Sequence, residues 1–78
     1  FKLYPNPTRG RVNIEMTGSG IRDTEVSVYT IQGTELFRKL YKAGEQINLN
    51  LSPYVAGVYM VRTQTEGATF LRKVILEK

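Results

Sequence analysis

The chain has 78 residues, with 11 Lys and Arg against 7 Asp and Glu, a net charge of +4, and neither Cys nor His. That length suits one small domain, which buries about 60–65% of the surface of its unfolded chain. The absence of Cys and His excludes disulfides, the usual zinc sites and the commonest nucleophile–base pairs. The Lys and Arg residues are scattered along the sequence, whereas nucleic-acid-binding proteins cluster them. No apolar run reaches the ~18 residues of a membrane span. We therefore expect no catalytic residue, no cofactor, no metal, no nucleic-acid partner and no direct membrane insertion.

The first part of the chain predicts three β-strands separated by Gly, Pro and Asn. Lys2–Tyr4 is a short strand, and residues 5–10 end it because two prolines bar a hydrogen-bonded ladder. Residues 11–16 alternate apolar and polar side chains, which is the period of a half-buried strand. Residues 17–20 form a flexible connection, and Thr24–Thr30 repeats the alternation. The side chains predicted to face inward are Val12, Ile14, Met16, Val26 and Val28, and Tyr29 is predicted to face outward.

Residues 35–42 predict a fourth strand whose inward face is ambiguous. A turn at Gly33 precedes it, at a position where a positive φ favours glycine. One face carries two leucines and Arg38, and the other carries two aromatic residues and Lys39. Each face thus has one cation, so charge does not decide between them. The two alternatives for the core are Leu36 with Leu40, and Phe37 with Tyr41.

Residues 45–63 predict two further strands joined at a corner. Ile47, Leu49 and Leu51 alternate with polar residues in the first of them. Ser52-Pro53 ends that strand because proline has no N–H to donate, and Ala56-Gly57 restarts the chain. The inward side chains of the next strand are predicted to be Tyr59, Val61 and Thr63. A tyrosine at a sandwich corner bonds its hydroxyl to nearby backbone, and this role is predicted for Tyr59.

A seventh strand over residues 68–77 follows a hairpin turn at Glu66-Gly67. It places Phe70, Val74 and Leu76 on one face, with Leu71 and Ile75 on the other. Apolar residues on both faces favour a central strand or a covered outer face. Seven short strands at intervals of about ten residues, with no helical periodicity, predict an all-β fold: an immunoglobulin-like or fibronectin-like sandwich of about seven antiparallel strands.

The residue types favour binding over catalysis. The seven acids lie mostly at strand ends and turns, and no two of them are poised as an acid–base pair. Tyrosines stack on sugars and peptides, so a fibronectin-like adhesion or carbohydrate-binding module is one function for such a domain. The alternative for each tyrosine is that it fills a core otherwise short of large side chains.

Three segments, taken in order, support a different function. The first is Leu3-Tyr4-Pro5-Asn6-Pro7, and the second is residues 26–33, which end in Gln32-Gly33. The third comprises residues 51–61 and 73–78. Together they resemble the C-terminal sorting domain of proteins exported by the type IX (Por) secretion system of Bacteroidetes. The one departure is Thr30, where that family often has Asp or Asn. The structural motif that the resemblance assigns is Tyr4, Pro5, Asn6 and Pro7.

The resemblance implies that residues 1–78 are a single C-terminal sorting domain, excised from a larger secreted protein. Such a domain is a non-catalytic export signal that directs its cargo from the periplasm across the outer membrane. A sortase-like peptidase usually removes it, and the cargo is then attached to the cell surface or secreted. The implied partners are the type IX translocon or its shuttle, and the sortase-like peptidase.

A signal that is read after folding needs a surface of its own, and two regions are candidates. One is the C-terminal strand and tail, whose lysines alternatively guard a sheet edge against aggregation. The other is the pair of glycine turns, where backbone geometry alone is a sufficient alternative. Exposed strand edges also allow a homodimer. The candidate recognition residues are Gly33, Gly57, Tyr59, Lys73, Val74, Leu76 and Lys78.

Overall fold

All seven predicted strands are present in the computed structural model, which describes residues 2–16 and 22–78. Their ends differ from the predicted ends by no more than two residues, and no helix able to span a membrane occurs in the part of the chain that the structure describes. The predicted connection at residues 17–20 lies outside the described residues. The strands are β1 Lys2–Tyr4, β2 Arg11–Glu15, β3 Thr24–Thr30, β4 Glu35–Tyr41, β5 Ile47–Asn50, β6 Gly57–Thr65 and β7 Ala68–Leu76.

The strands form two antiparallel sheets, so the predicted all-β sandwich is confirmed. β1, β2 and β5 make a three-stranded sheet in the order β1-β2-β5, and the others make a four-stranded sheet in the order β4-β3-β6-β7. In constant-type immunoglobulin domains the fourth strand joins the first, second and fifth. Here β4 pairs with β3 instead, so the larger sheet has β4 and β7 as its two edges.

The core lies between the sheets and is made by every second residue of the strands. This is the physical result of the period-two pattern, since alternate side chains of a strand point to opposite faces. Full burial of a Val or Leu side chain contributes about 1.5–3 kcal/mol. The buried apolar residues are Val12, Ile14, Val26, Val28, Tyr41, Ile47, Leu49, Leu51, Tyr59, Val61, Val74 and Leu76.

The ambiguity in β4 is resolved in favour of the aromatic face. Thr24 pairs with Tyr41 and Val28 with Phe37, so the aromatic residues lie opposite inward-facing residues of β3. Tyr41 is buried whereas Leu40 is exposed, and this difference decides the face. Phe37 and Leu36 are both partly buried and pack against the core. Lys39 shares this face at the sheet edge.

The Nζ atom of Lys39 lies 4.8 Å from the centroid of the Tyr41 ring. A lysine can cover an apolar surface with its stem while its charge stays in water. A cation on the inward face of an edge strand is therefore compatible with the core.

Two side chains that are predicted to face inward are only partly buried. Met16 is 36% exposed and Phe70 is 39% exposed, because both line an open cleft of about 540 Å³ at one end of the sandwich. β2 of the three-stranded sheet ends at Glu15, whereas the β6–β7 ladder continues to the pair of Thr65 with Ala68 at the hairpin turn. The longer four-stranded sheet thus extends past the core at this end.

The prediction that β7 is central or covered on its outer face is also wrong. β7 is an edge strand: of the seven strands, only β6 pairs with it. Leu71 is 52% exposed and Ile75 is 37% exposed on its outer face. Apolar residues on both faces were the signal for a covered strand, but they are equally compatible with an edge strand that leaves apolar side chains in solvent.

Candidate functional site

Four of the candidate recognition residues form two neighbouring cross-strand pairs. Gly57 lies opposite Leu76, and Tyr59 lies opposite Val74, in the β6–β7 ladder. Since the next strand over pairs Thr30 with Tyr59, the turn after β3 comes to the same end of the four-stranded sheet. We call this end, formed by residues 30–34, 51–57 and 74–78, the corner end.

Tyr59 holds the corner as predicted. The residue is 5% exposed, and its hydroxyl donates a hydrogen bond of 2.5 Å to the carbonyl oxygen of Val55. The ring centroid of Tyr54 lies 6.2 Å away, and Tyr54 in turn stacks on Phe37 at 6.3 Å with an interplanar angle of 12°. Aromatic pairs in this range of distances add about 0.5–1.5 kcal/mol each. The three rings link the corner to β4.

Asn6 clamps the edge of β7, a role that the sequence did not reveal. Its Nδ2 donates to the carbonyl oxygen of Lys73 at 3.0 Å, and its Oδ1 accepts from the N–H of Ile75 at 2.9 Å. Residues 5–8, which we call the N-terminal segment, were predicted only to end β1. Between the two prolines, the Asn6 side chain thus imitates the backbone of a paired strand.

Thr8 continues this edge contact with its own backbone. Its N–H donates to the carbonyl oxygen of Ile75 at 2.8 Å, and its carbonyl oxygen accepts from the N–H of Glu77 at 2.8 Å. Thr8 and Leu76 form a parallel bridge. The buried Thr8 hydroxyl donates to the carbonyl oxygen of Arg11 and accepts from the N–H of Gly10. The N-terminal segment therefore crosses from the three-stranded sheet to the edge of the four-stranded sheet.

The two candidate lysines have different environments. Lys78 donates from Nζ to the carbonyl oxygen of Ser52 at 2.6 Å, which fixes the tail against the corner. Lys73 is exposed and lies opposite Met60 on the outer face of β7. Within the described residues Lys73 has no ion pair, so its charge faces solvent. Lys73 and Lys78 are thus brought to the β7 side of the domain, and of the two, Lys78 alone bonds another described residue through its ammonium group.

Gly33 lies in an exposed turn whose geometry explains the residue. Its φ is 96°, a conformation that L side chains rarely adopt, and its N–H donates to the carbonyl oxygen of Thr30 at 2.9 Å. A Cβ at this position would meet nothing within 4 Å. Gly57 is likewise open and exposed at the start of β6. Beside these turns, Ile31 and Val55 expose apolar side chains at the corner end.

The two outer faces of the sandwich differ in chemistry. Apart from the aromatic Tyr4, the cross-strand rows of the three-stranded sheet carry polar or charged side chains outward: Lys2, Arg11, Asn13, Glu15, Asn48 and Asn50. The rows of the four-stranded sheet carry apolar or aromatic side chains among their charges: Tyr29, Leu40, Val58, Met60, Leu71 and Ile75. The four-stranded sheet is therefore the face better suited to contact with another protein.

Charges on that face largely neutralise one another. Oε1 of Glu25 lies 3.8 Å from Nε of Arg38 and 3.9 Å from Nη2 of Arg62. Arg38 also pairs with Glu35 at 2.9 Å. The guanidinium carbon of Arg62 lies 5.7 Å from the centroid of the Tyr29 ring, which confirms that Tyr29 faces outward. One side of the Tyr29 ring is thus covered by the Arg62 guanidinium.

The hydroxyl groups of Tyr4 and Tyr41 both donate hydrogen bonds, and both have a raised pKa. The exposed Tyr4 donates to Oε1 of Glu15 at 2.8 Å, and this hydrogen bond raises the pKa of Tyr4 above its ordinary value. Burial raises the pKa of Tyr41, whose hydroxyl donates to the carbonyl oxygen of Asn48 at 3.2 Å. No group of acidic residues in residues 2–16 and 22–78 is arranged to hold a metal ion. The geometry is that of a surface held in one shape by hydrogen bonds.

Comparison with known proteins gives the family. A family model described as "Secretion system C-terminal sorting domain" matches residues 2–77, nearly the whole chain. No curated protein matches the chain. The family is defined by a sorting role in type IX secretion and not by catalysis. The chain therefore belongs to the family of secretion system C-terminal sorting domains.

Proposed function

We propose that the folded domain is itself the export signal, and that it directs the protein to which it is joined through the type IX secretion system and across the outer membrane. The observation that carries this proposal is the family match over residues 2–77. The geometry supports a signal that is read after folding. The segments that carry the resemblance lie far apart in the sequence, and the folded domain joins them: Thr30 pairs with Tyr59, Asn6 bonds Lys73, and Lys78 bonds Ser52.

The proposed route has three steps. The cargo first reaches the periplasm, then engages the type IX translocon or its shuttle through this domain. A sortase-like peptidase finally separates the domain from the cargo, which is attached to the cell surface or released. A peptidase needs an accessible, unpaired chain. The backbone of Lys2–Tyr4 is paired with β2, so we place the cut before β1.

We further propose that the corner end is the surface that the machinery reads. Lys78 is fixed by Ser52, so the tail presents one shape rather than many. Ile31 and Val55 supply exposed apolar contacts next to it. Tyr59, by contrast, is buried, and we assign it the role of holding the corner in place. Val74 and Leu76 act in the same way, from within the core.

The direct test joins this chain, with its preceding linker, to a periplasmic reporter in a bacterium that has a type IX system. The reporter should appear at the cell surface or in the medium, without the domain. The same reporter without residues 1–78 is the control and should remain periplasmic. A reporter that carries the domain and still stays periplasmic and uncleaved would overturn the proposal.

A deletion tests the C-terminal strand. Removal of residues 74–78 takes Val74 and Leu76 out of the core and removes the N–H of Glu77 that bonds Thr8. We expect it to abolish sorting. The double variant Lys73→Ala with Lys78→Ala keeps the core and separates charge from folding: loss of sorting in a folded double variant assigns recognition to the lysines. Normal secretion of the deletion variant would contradict the assignment of this strand.

A further inference from the structure

The edge of β7 is divided into a covered half and an open half. Asn6 and Thr8 bond backbone atoms of residues 73, 75 and 77. Because backbone groups of an antiparallel edge strand alternate in direction, residues 69 and 71 point their N–H and C=O groups to the same edge. The covered half ends at the carbonyl oxygen of Lys73. The open half is residues 69–73, which we call the open edge.

Backbone donors on the open edge have no partner in the part of the chain that the structure describes. Among the described residues, nothing accepts from the N–H groups of Thr69, Leu71 and Lys73. The carbonyl oxygen of Leu71 accepts a hydrogen bond of 3.2 Å from Nη1 of its neighbour Arg72. The N-terminal segment demonstrates that this edge is extended enough to pair with another piece of chain, since it already does so two residues further along.

We propose that the open edge accepts an extended acidic segment of the secretion machinery as an added β-strand. The proposal rests on the sorting function proposed above and adds to the corner end a second contact, on the other half of β7, through which the signal is read. Addition of a strand to an exposed sheet edge is a general mode of peptide recognition, in which main-chain hydrogen bonds provide affinity and side chains provide specificity.

Charge identifies the occupant as acidic. β7 contains Arg72 and Lys73 but no Asp or Glu between Ala68 and Leu76. Lys73 has no ion pair among the described residues, so an acidic side chain on an added strand would be the first to neutralise it. A second copy of this chain paired through the same edge would bring the same cations together, and like charges on paired strands are destabilising. Exposed Leu71 offers an apolar contact beside the charge.

The competing explanation is that Arg72 and Lys73 keep the edge free of any partner, which is a common use of edge cations. A peptide titration separates the two. The probes are two seven-residue peptides in which Val alternates with a charged residue. The charged residue is Glu in one peptide and Lys in the other. Amide hydrogen exchange of this chain is measured by NMR with each probe.

With the Glu peptide at ten times its Kd, exchange of the N–H groups of Thr69, Leu71 and Lys73 should slow about tenfold. The amide of Ile75, already bonded to Asn6, should change far less. The Lys peptide should have no effect. Equal protection by both peptides, or none by either, would overturn the proposal. Dimerisation of the chain through the same three amides, seen as protection that depends on protein concentration alone, would also overturn it.

The variant Leu71→Pro tests the open edge in the cellular export assay. The N–H of Leu71 points away from β6, so proline removes a donor of the open edge and no bond of the β6–β7 ladder. Leu71→Ala keeps that donor and is the control for the lost side chain. We expect the reporter carrying Leu71→Pro to remain periplasmic, and the reporter carrying Leu71→Ala to be exported. Both melts are measured to establish that the domains fold.

Lys73→Glu provides a second variant should the proline unfold the domain. It keeps the edge donors and reverses the charge at residue 73, so the Glu peptide should lose its protective effect and the Lys peptide should gain one. Normal export of a folded Leu71→Pro domain would refute the open edge while leaving the sorting function intact. Failure of the wild-type domain to export the reporter would refute the sorting function, and the peptide titration would still decide whether the edge binds an acidic strand.

Discussion

Replacement of Tyr59 by Ala separates folding from recognition at the corner end. The residue is 5% exposed and its hydroxyl bonds the carbonyl oxygen of Val55. Truncation of a buried large aromatic side chain costs about 3–5 kcal/mol. A chain of this length has an unfolding free energy on the order of 4–12 kcal/mol. Tyr59→Ala therefore removes a large share of the stability, and we expect it to block export by unfolding the signal.

Tyr59→Phe is the matched control. It keeps the ring against Tyr54 and removes only the hydrogen bond to Val55, which costs about 0.5–1.5 kcal/mol. In a domain of this size a loss of 1 kcal/mol lowers the Tm by about 4–8 °C. The Phe domain should stay folded and export its cargo. Urea unfolding followed by circular dichroism gives both free energies, and the reporter gives export.

The pair of variants can refute this reasoning in two ways. A Tyr59→Ala domain that unfolds cooperatively, within about 1 kcal/mol of the wild type, and still fails to export would make Tyr59 a contact of the machinery. A Tyr59→Phe domain that melts like the wild type but is not exported would assign recognition to the hydroxyl itself. In either case the corner would be read directly.

Three further changes test other contacts. Asn6→Ala should lower the unfolding free energy by about 1–2 kcal/mol and speed amide exchange at Ile75 in NMR, and unchanged exchange would contradict the clamp. Lys78→Met removes the bond to Ser52 and should reduce export while costing less than about 1 kcal/mol in a urea melt; full export would remove Lys78 from the recognised surface. Burial raises the pKa of Tyr41, so the unfolded chain ionises first as pH rises through about 10. The wild type should then lose stability that Tyr41→Phe keeps, and an equal alkaline loss in both would refute this.

The strands and the core follow from local pattern. Val26 and Val28 alternate with polar residues, as do Ile47 and Leu49, and a period of two has one meaning when one face must be buried. The corner was also predictable, because Pro53 stops a strand before the tyrosine that holds the next one. These features depend on residues close together in the chain.

The contacts that depend on distant residues were not predictable. Asn6 bonds Lys73 and Ile75, which lie 67 and 69 positions further along the chain. An asparagine between two prolines has no local sequence pattern that would predict its partner. The same holds for β7, whose place at the sheet edge depends on strand order and not on its own residues. In β4, only the register with β3 decides between leucines and aromatics. Thus the candidate site was predicted as a set of residues, but not as a set of contacts.

The parallel alignment of the N-terminal segment with β7 has a mechanical consequence. In the proposed route, a cargo joined before β1 pulls on one end of the domain, while machinery that grips the C-terminal tail pulls on the other. The N-terminal segment and the end of β7 run parallel at the bridge between Thr8 and Leu76. These opposed forces therefore load the two segments in shear, so that they slide past each other instead of being peeled apart. The bonds of Asn6 and Thr8 are then loaded together. The domain would thus resist tension best along the line on which transport applies it.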